Sequence, residues 1–113
     1  MDLKKLYTDV TVILGKELSI YKFLTLCDMG AKAIIGRYPK KFTLCGSEYI
    51  SPETLSSSFA LCDAFYISLL YYVIAAEDAD ENMYKKSKDA AEDAYLTLWR
   101  KSAAGKRIAN DIW

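Results

Sequence analysis

The sequence predicts a mainly all-α protein, namely a four-helix bundle-like domain with a short β-hairpin around residues 41–50 and an extended C-terminal tail. Three observations lead to this prediction. Apolar residues recur at spacings of three and four over most of the chain, which is the period of a helix buried on one face. The pattern changes to alternation only after Pro39. With 113 residues, 52% of them hydrophobic, one domain can build a core without disulfides or metals.

The first two helices are indicated by apolar stripes with clear ends. The first stripe stops at Gly15, a residue type that commonly ends a helix. The second stripe lies between Ser19, a capping residue, and Pro39, which cannot continue a helix. Gly30 and Gly36 fall inside the second helix and each weakens it by roughly 1 kcal/mol relative to alanine. The first stripe is Leu3, Leu6, Val10, Ile13 and Leu14, and the second is Ile20, Phe23, Leu24, Cys27, Ala31, Ile34, Ile35 and Tyr38.

A change of period predicts the hairpin at residues 41–50. Phe42 and Leu44 alternate with other residues, Gly46 begins a segment of turn composition, and Tyr49 resumes the extended pattern. A two-stranded hairpin is marginal in water by itself. We therefore expect it to lean on the helices or to pair with another chain through its free edge, with Phe42 and Tyr49 as interaction residues.

A third long helix is predicted over residues 59–77. The run from Phe59 to Ala76 is apolar apart from Asp63, which leaves two interpretations. A membrane-spanning helix requires about twenty apolar residues with charges only near its ends. Because Asp63 interrupts the run and tyrosine hydroxyls add polar groups, we favour a helix buried in the protein.

The last helix is predicted to end near Gly105, after a face of mixed charge. The chain then divides into a helical domain, residues 1–104, and a C-terminal arm, residues 105–113. Tryptophan and arginine are enriched at binding hot spots, so the arm is predicted to dock on a neighbouring chain. The alternatives are that it folds back on its own helices or frays. Its predicted interaction residues are Lys106, Arg107, Ile108, Ile112 and Trp113.

The composition argues against an enzyme and against a metal centre. The chain contains no histidine, which is the commonest general base and the commonest metal ligand. The acidic cluster from Glu77 to Glu81 lacks the spacing of a calcium-binding loop, and we interpret it as helix capping. No catalytic residue, no metal and no cofactor are expected.

The net charge and the number and spacing of the cysteines indicate which partners and which cellular compartment suit the protein. Fifteen basic and fifteen acidic residues give a formal net charge of zero, whereas nucleic-acid binders usually carry a basic excess. Cys27, Cys45 and Cys62 are odd in number and widely spaced, which is typical of reduced thiols in a cytosolic setting. Cys27 and Cys62 lie on apolar stripes and are expected to be buried, with Cys45 more exposed.

The order of these segments resembles that of the small phage head–tail connector (adaptor) proteins. The resemblance covers roughly residues 3–103, and the β segment is short by comparison. The arm from Gly105 onward has no counterpart in it. The phrases that carry the resemblance are Gly36-Arg37-Tyr38-Pro39, Leu70-Tyr71-Tyr72-Val73-Ile74-Ala75-Ala76 and Glu77-Asp78-Ala79-Asp80.

The resemblance implies a virion structural protein at the head–tail junction that does no chemistry. Such proteins form a ring of about twelve subunits below the portal and bridge it to the tail. The implied partners are further copies of the chain, the portal protein and a tail or stopper protein. DNA passes only as cargo, no membrane is involved, and the chain is made in the host cytoplasm. The alternative is a small intracellular regulatory or antitoxin-like helical module that captures one partner.

Overall fold

The computed structural model of the protein describes the backbone of residues 1–111 and the side chains of residues 1–102. The prediction of a mainly all-α chain with four long helices is confirmed. No β-strand occurs within residues 1–111. The elements are α1 (Leu3–Leu14), α2 (Ile20–Arg37), the one-turn helix α3 (Lys40–Thr43), a 3₁₀ turn (Asp63–Phe65), α4 (Tyr66–Asp78) and α5 (Glu81–Asp111).

The ends of the first helices follow from local chemistry. The carboxylate of Asp2 accepts hydrogen bonds from the backbone N–H groups of Lys4 and Lys5 and so caps α1. Gly15 ends α1 in the left-handed conformation, with φ at 68°. Ser19 caps α2 through a hydrogen bond from a backbone N–H of its first turn. The predicted stop at Gly15 and the predicted cap at Ser19 are therefore confirmed.

The β-hairpin predicted over residues 41–50 is wrong. The consecutive side chains of Thr43 and Leu44 are both buried, with 0% and 2% exposed. The strands of a hairpin would place these two side chains on opposite faces, whereas the turn of α3 and the residue after it bring both into the core. Cys45 and Gly46 then reverse the chain with positive φ angles of 50° and 80°. The segment from there to the 3₁₀ turn has no regular secondary structure.

Helix α4 is shorter than the predicted third helix. It begins at Tyr66, after the 3₁₀ turn, and not at Phe59. Phe59 and Leu61 are buried, at 3% and 1% exposed, but they lie in a non-helical segment. A short apolar run does not by itself distinguish a buried extended segment from a buried helix. The apolar character of residues 59–77 therefore predicted the burial of most of its large side chains, with the exception of Ile67, and predicted the conformation only in part.

Helix α5 continues past its predicted stop. The backbone stays helical through Gly105 as far as Asp111, so the extended tail predicted from residue 105 is wrong over that stretch. A glycine inside a helix costs roughly 1 kcal/mol relative to alanine, and strong helix formers on both sides of Gly105 offset that cost. The helical domain and the arm are joined by a continuous helix.

Helices α1 and α4 run alongside each other in the same direction. At the start of α4, the hydroxyl of Tyr66 donates a hydrogen bond to the carboxylate of Asp9 on α1. At the other end, Lys16 follows α1 and lies 3.5 Å from Glu77, near the end of α4. We call this second end of the bundle, where the turn at Gly15 lies, the Gly15 end.

Helices α2 and α5 run in the opposite direction to α4. Lys22 at the start of α2 pairs with Glu77, and Tyr38 after its end packs on Phe65 with ring centroids 6.1 Å apart. The left-handed residue Ala79 links α4 to α5, which returns along α4. The end of the bundle around Phe65 is called the Phe65 end.

The core lies between the long helices and centres on Phe23 and Phe65, both 0% exposed. Gly30 allows α4 to approach α2 closely. A Cβ atom at Gly30 would lie 2.7 Å from side-chain carbons of both Leu69 and Tyr72. The glycine is therefore required by packing, and not by backbone conformation.

Candidate protein interaction surfaces

The structure places the predicted interaction residues in different environments. Phe42 is half-buried, and its ring meets that of Tyr95 edge-on at a centroid distance of 5.6 Å. Tyr49 is half-buried against Phe59, at 5.9 Å. Both pack within the domain, and neither lies on a strand edge. The side chains of Lys106, Arg107 and Ile108, and the residues Ile112 and Trp113, lie outside the described part of the chain.

The hydroxyl of Tyr49 anchors the irregular segment before the 3₁₀ turn to helix α2. Tyr49 and Ser51 donate hydrogen bonds to one carboxylate oxygen of Asp28, at 2.5 and 2.7 Å. Lys32 lies 3.0 Å from the other oxygen. Partial burial opposes ionisation, yet these donors together hold the pKa of Asp28 below its ordinary value. The hydroxyl of Tyr49 therefore has its hydrogen-bond partner within the chain.

Asp28→Asn is expected to lower the free energy of unfolding by about 1 kcal/mol at pH 7, because the charged acceptor is lost. The folded-state pKa lies below the unfolded value of about 3.9, so the carboxylate contributes fully above that pH. Its contribution disappears as the pH falls through the folded pKa. Urea unfolding at several pH values below and above 4 measures this. Asp89→Asn, at an exposed site on α5, is the control, and equal acid sensitivity of wild type and Asp28→Asn would contradict the prediction.

An exposed apolar surface lies at the Gly15 end of the bundle. Its side chains belong to the last turn of α1 and the first turn of α2, and their exposed fractions run from 48% to 82%. Exposed apolar patches often mark protein interaction sites, so these four residues are a candidate interaction surface. We call this set the Gly15-end surface; it comprises Val12, Ile13, Ile20 and Tyr21.

Ion pairs border the Gly15-end surface. Lys22 lies 2.6 Å from Glu77, and Lys16 lies within 3.6 Å of both Glu77 and Asp78. The hydrogen bond from Lys22 holds the pKa of Glu77 below its usual value. In the acidic cluster, Asp80 caps α5 by accepting two backbone hydrogen bonds, whereas Glu77 and Asp78 form these ion pairs. The capping interpretation holds for Asp80.

A second apolar surface lies at the Phe65 end. A groove between the start of α4 and helix α5 contains Ile67, which is 48% exposed, and the half-buried Leu98. Trp99 is 50% exposed beside Leu98 on α5. Leu98 is the last α5 residue that packs against the core within the described side chains, while the backbone of α5 extends about 20 Å further, to Asp111. Ile67, Leu98 and Trp99 form the Phe65-end surface.

The sequence indicates the Gly15-end surface, but the apolar period by itself predicts that its residues are buried. Ile13 and Ile20 fit the apolar stripes of α1 and α2, yet they are 55% and 48% exposed. Each has an apolar neighbour in sequence, Val12 and Tyr21, on the adjoining face of its helix. Two consecutive apolar residues point in different directions around a helix. One buried face therefore cannot cover both of them, and part of the apolar stripe stays exposed.

A small cavity between three of the long helices is below the ordinary size of a ligand site. A cavity of ≈ 140 Å³ lies between α2, α4 and α5 beside Gly30 and Tyr72, and small-molecule sites are typically about 300 Å³ or more. Ser68 and Ser87 on its wall donate hydrogen bonds to each other's backbone carbonyls, at 2.8 and 2.7 Å. These hydroxyls are therefore satisfied.

The described residues offer neither a metal site nor a membrane-spanning helix. Among the described side chains, no group of three or more histidine, cysteine, aspartate or glutamate residues is arranged to hold a metal ion. None of the helices that the structure describes is both long enough and apolar enough to cross a membrane. Protein-family models, curated proteins and solved structures gave no match to this chain.

Proposed function

We propose that the protein is a virion structural protein, a head–tail connector whose copies form a ring below the portal and bridge it to the tail. The observation that carries this proposal is the presence of two unlike apolar surfaces at opposite ends of one helical bundle. A contact between unlike surfaces is heterologous, and it generates a ring when the rotation between neighbours closes. The order of sequence segments supports the same assignment.

The proposed contact joins the Phe65-end surface of one copy to the Gly15-end surface of the next. Trp99 and Tyr21 are the large side chains at the two ends, and both residue types dominate binding energy when they are buried. Helix α5 extends beyond the bundle at the Phe65 end as far as Asp111. In the proposed ring, the arm of residues 105–113 contacts the neighbouring copy. The arm strengthens this contact, and the portal protein and a tail or stopper protein bind the completed ring.

Native mass spectrometry of the purified chain over a concentration series tests the proposal. We expect a discrete oligomer of about twelve subunits. Tyr21→Glu and Trp99→Glu each block one of the two surfaces, so each variant alone should be monomeric. An equimolar mixture retains one intact contact and should give dimers but no ring. Deletion of residues 105–113 should shift assembly to a higher protein concentration.

Met29→Glu is the matched control, because Met29 is 51% exposed but lies midway along α2, away from both ends. This variant should assemble as the wild type does. Retention of the large oligomer by Tyr21→Glu and Trp99→Glu would overturn the proposed contact. A wild-type chain that stays monomeric at every concentration and forms a one-to-one complex with a single protein would support the regulatory module instead.

A further inference from the structure

Two of the three cysteines meet at the surface although they are far apart in sequence. The thiol of Cys45, in the turn after α3, donates a hydrogen bond to the sulfur of Cys62, just before the 3₁₀ turn. The two Sγ atoms are 2.8 Å apart, so only a small movement brings them to the length of a disulfide bond, about 2.05 Å.

The backbone on both sides of this pair is held by the core. The N–H of Cys62 donates a hydrogen bond of 2.7 Å to the carbonyl of Thr43. Leu44 and Leu61, the neighbours of the two cysteines, are buried at 2% and 1% exposed. Because each cysteine follows an anchored residue, their meeting is a property of the fold and not a chance encounter of two loops.

The three thiols differ in their accessibility to a reagent. Cys45 is exposed and Cys62 is half-buried, so the pair can be reached from solvent. Cys27 is 0% exposed in the core, so a reagent in solvent does not reach its sulfur, and burial also raises the pKa of its thiol. Oxidation is therefore directed to one pair.

We propose that Cys45 and Cys62 form an oxidative modification site, at which a low-molecular-weight disulfide of the glutathione class converts the two thiols to an intrachain disulfide. The Cys45 thiolate attacks one sulfur of oxidised glutathione, releases one glutathione thiol and forms a mixed disulfide. The Cys62 thiolate then attacks the Cys45 sulfur and releases the second glutathione. The protein loses two protons and two electrons, and one oxidised glutathione is reduced to two thiols.

The new bond would close a loop over residues 45–62, the segment that carries Tyr49 and the 72%-exposed Ile50. Cross-linking restricts the unfolded chain, and for a loop of this length we expect the midpoint of thermal unfolding to rise by about 10 °C. This inference is independent of the proposed function. It differs from the expectation from sequence that all three thiols stay reduced.

The hydrogen bond to Cys62 and partial burial raise the pKa of Cys45 to about 11. The thiolate is the attacking species, so the exchange should be slow at neutral pH and should accelerate as the pH rises towards that value.

The test is incubation of the folded, full-length chain with oxidised glutathione, followed by mass spectrometry without reduction. We expect the intact mass to fall by two hydrogen atoms. Digestion with trypsin and a glutamate-specific protease cuts after Lys41, Glu48, Glu53 and Glu77. Residues 42–48 should then appear linked to residues 54–77, and the linked peptide should separate on reduction. The thermal midpoint should rise by about 10 °C in the same sample.

Single-cysteine variants distinguish this pair from nonspecific oxidation. Cys62→Ser should accumulate a glutathione adduct on Cys45, since no second thiol displaces it, and should gain no thermal stability. Cys27→Ser should form the 45–62 bond at the wild-type rate. A stable glutathione adduct on Cys45 of the wild-type chain, or a linked peptide that contains Cys27, would overturn the proposal.

Discussion

Leu70→Ala is expected to lower the free energy of unfolding by about 2–5 kcal/mol, which is a large part of the stability of a domain of this size. Leu70 is 6% exposed and belongs to the main apolar core. Helix α4, which carries it, contacts α1, α2 and α5. Neighbours held on three sides relax little into the space left by the lost side chain, so the cavity term adds to the lost burial. Urea unfolding followed by circular dichroism measures the loss.

Ile67→Ala is the matched control for Leu70→Ala. Ile67 lies about one turn earlier on α4 but is 48% exposed at the Phe65 end. Its truncation should change the free energy of unfolding by no more than about 0.5 kcal/mol. In the proposed assembly, the same variant should weaken the contact between copies. A loss below half a kcal/mol for Leu70→Ala would show that α4 is not buried in the free protein.

Gly30→Ala is expected to destabilise the protein by about 1–3 kcal/mol, although alanine is the better helix former by about 1 kcal/mol. The added Cβ would approach carbons of Leu69 and Tyr72 to 2.7 Å, closer than atoms pack without displacement. Leu69 is 0% exposed and has little room to move, so the two side chains or helix α4 itself must be displaced at a cost in packing. The free energy of unfolding from urea melts, combined with the near-ultraviolet signal of the tyrosines, measures the effect.

Gly36→Ala, on the same helix, is expected to stabilise the protein. A Cβ at Gly36 meets no atom within 4 Å, and Gly36 has no positive φ. The helix propensity of alanine then acts alone, and we expect a gain of up to about 1 kcal/mol. Equal effects of the two substitutions would contradict the close approach of α4 to α2 at Gly30.

The four substitutions also separate folding from assembly. Leu70 and Gly30 pack inside the domain, so the Leu70→Ala and Gly30→Ala variants should lose stability whether or not copies of the chain associate. Ile67 lies on the Phe65-end surface, so its variant should fold normally and assemble poorly. Gly36 lies in neither set and should affect assembly no more than Met29 does.

Local signals predicted the end of α1 and the start of α2 correctly. Gly15 and Ser19 act on backbone groups within a few residues, so their effect is present in the sequence itself. The same kind of signal failed at Gly105, because the strong helix formers around one glycine outweighed its cost. Predictions from a single residue are reliable where the flanking residues agree with it.

The predicted hairpin failed for a different reason. Alternation of Phe42 and Leu44 with their neighbours resembles a strand, but Thr43 is fully buried and its carbonyl accepts a hydrogen bond from the distant Cys62. The conformation of residues 42–45 therefore depends on contacts with residues that are distant in sequence, such as Cys62. The meeting of Cys45 with Cys62 follows from the same long-range packing.

The sequence by itself determined that this protein is mainly helical, that α1 and α2 lie between defined ends, and that the apolar region around α4 is buried, because caps and apolar periods act locally. Only the tertiary structure decided which apolar residues remain exposed. Ile13 and Ile20 share the period of buried residues yet are exposed, and the hydroxyl of Tyr49 donates a hydrogen bond to Asp28, which no local pattern indicated. Exposure depends on which other helices cover a side chain, and that depends on how all the helices pack together.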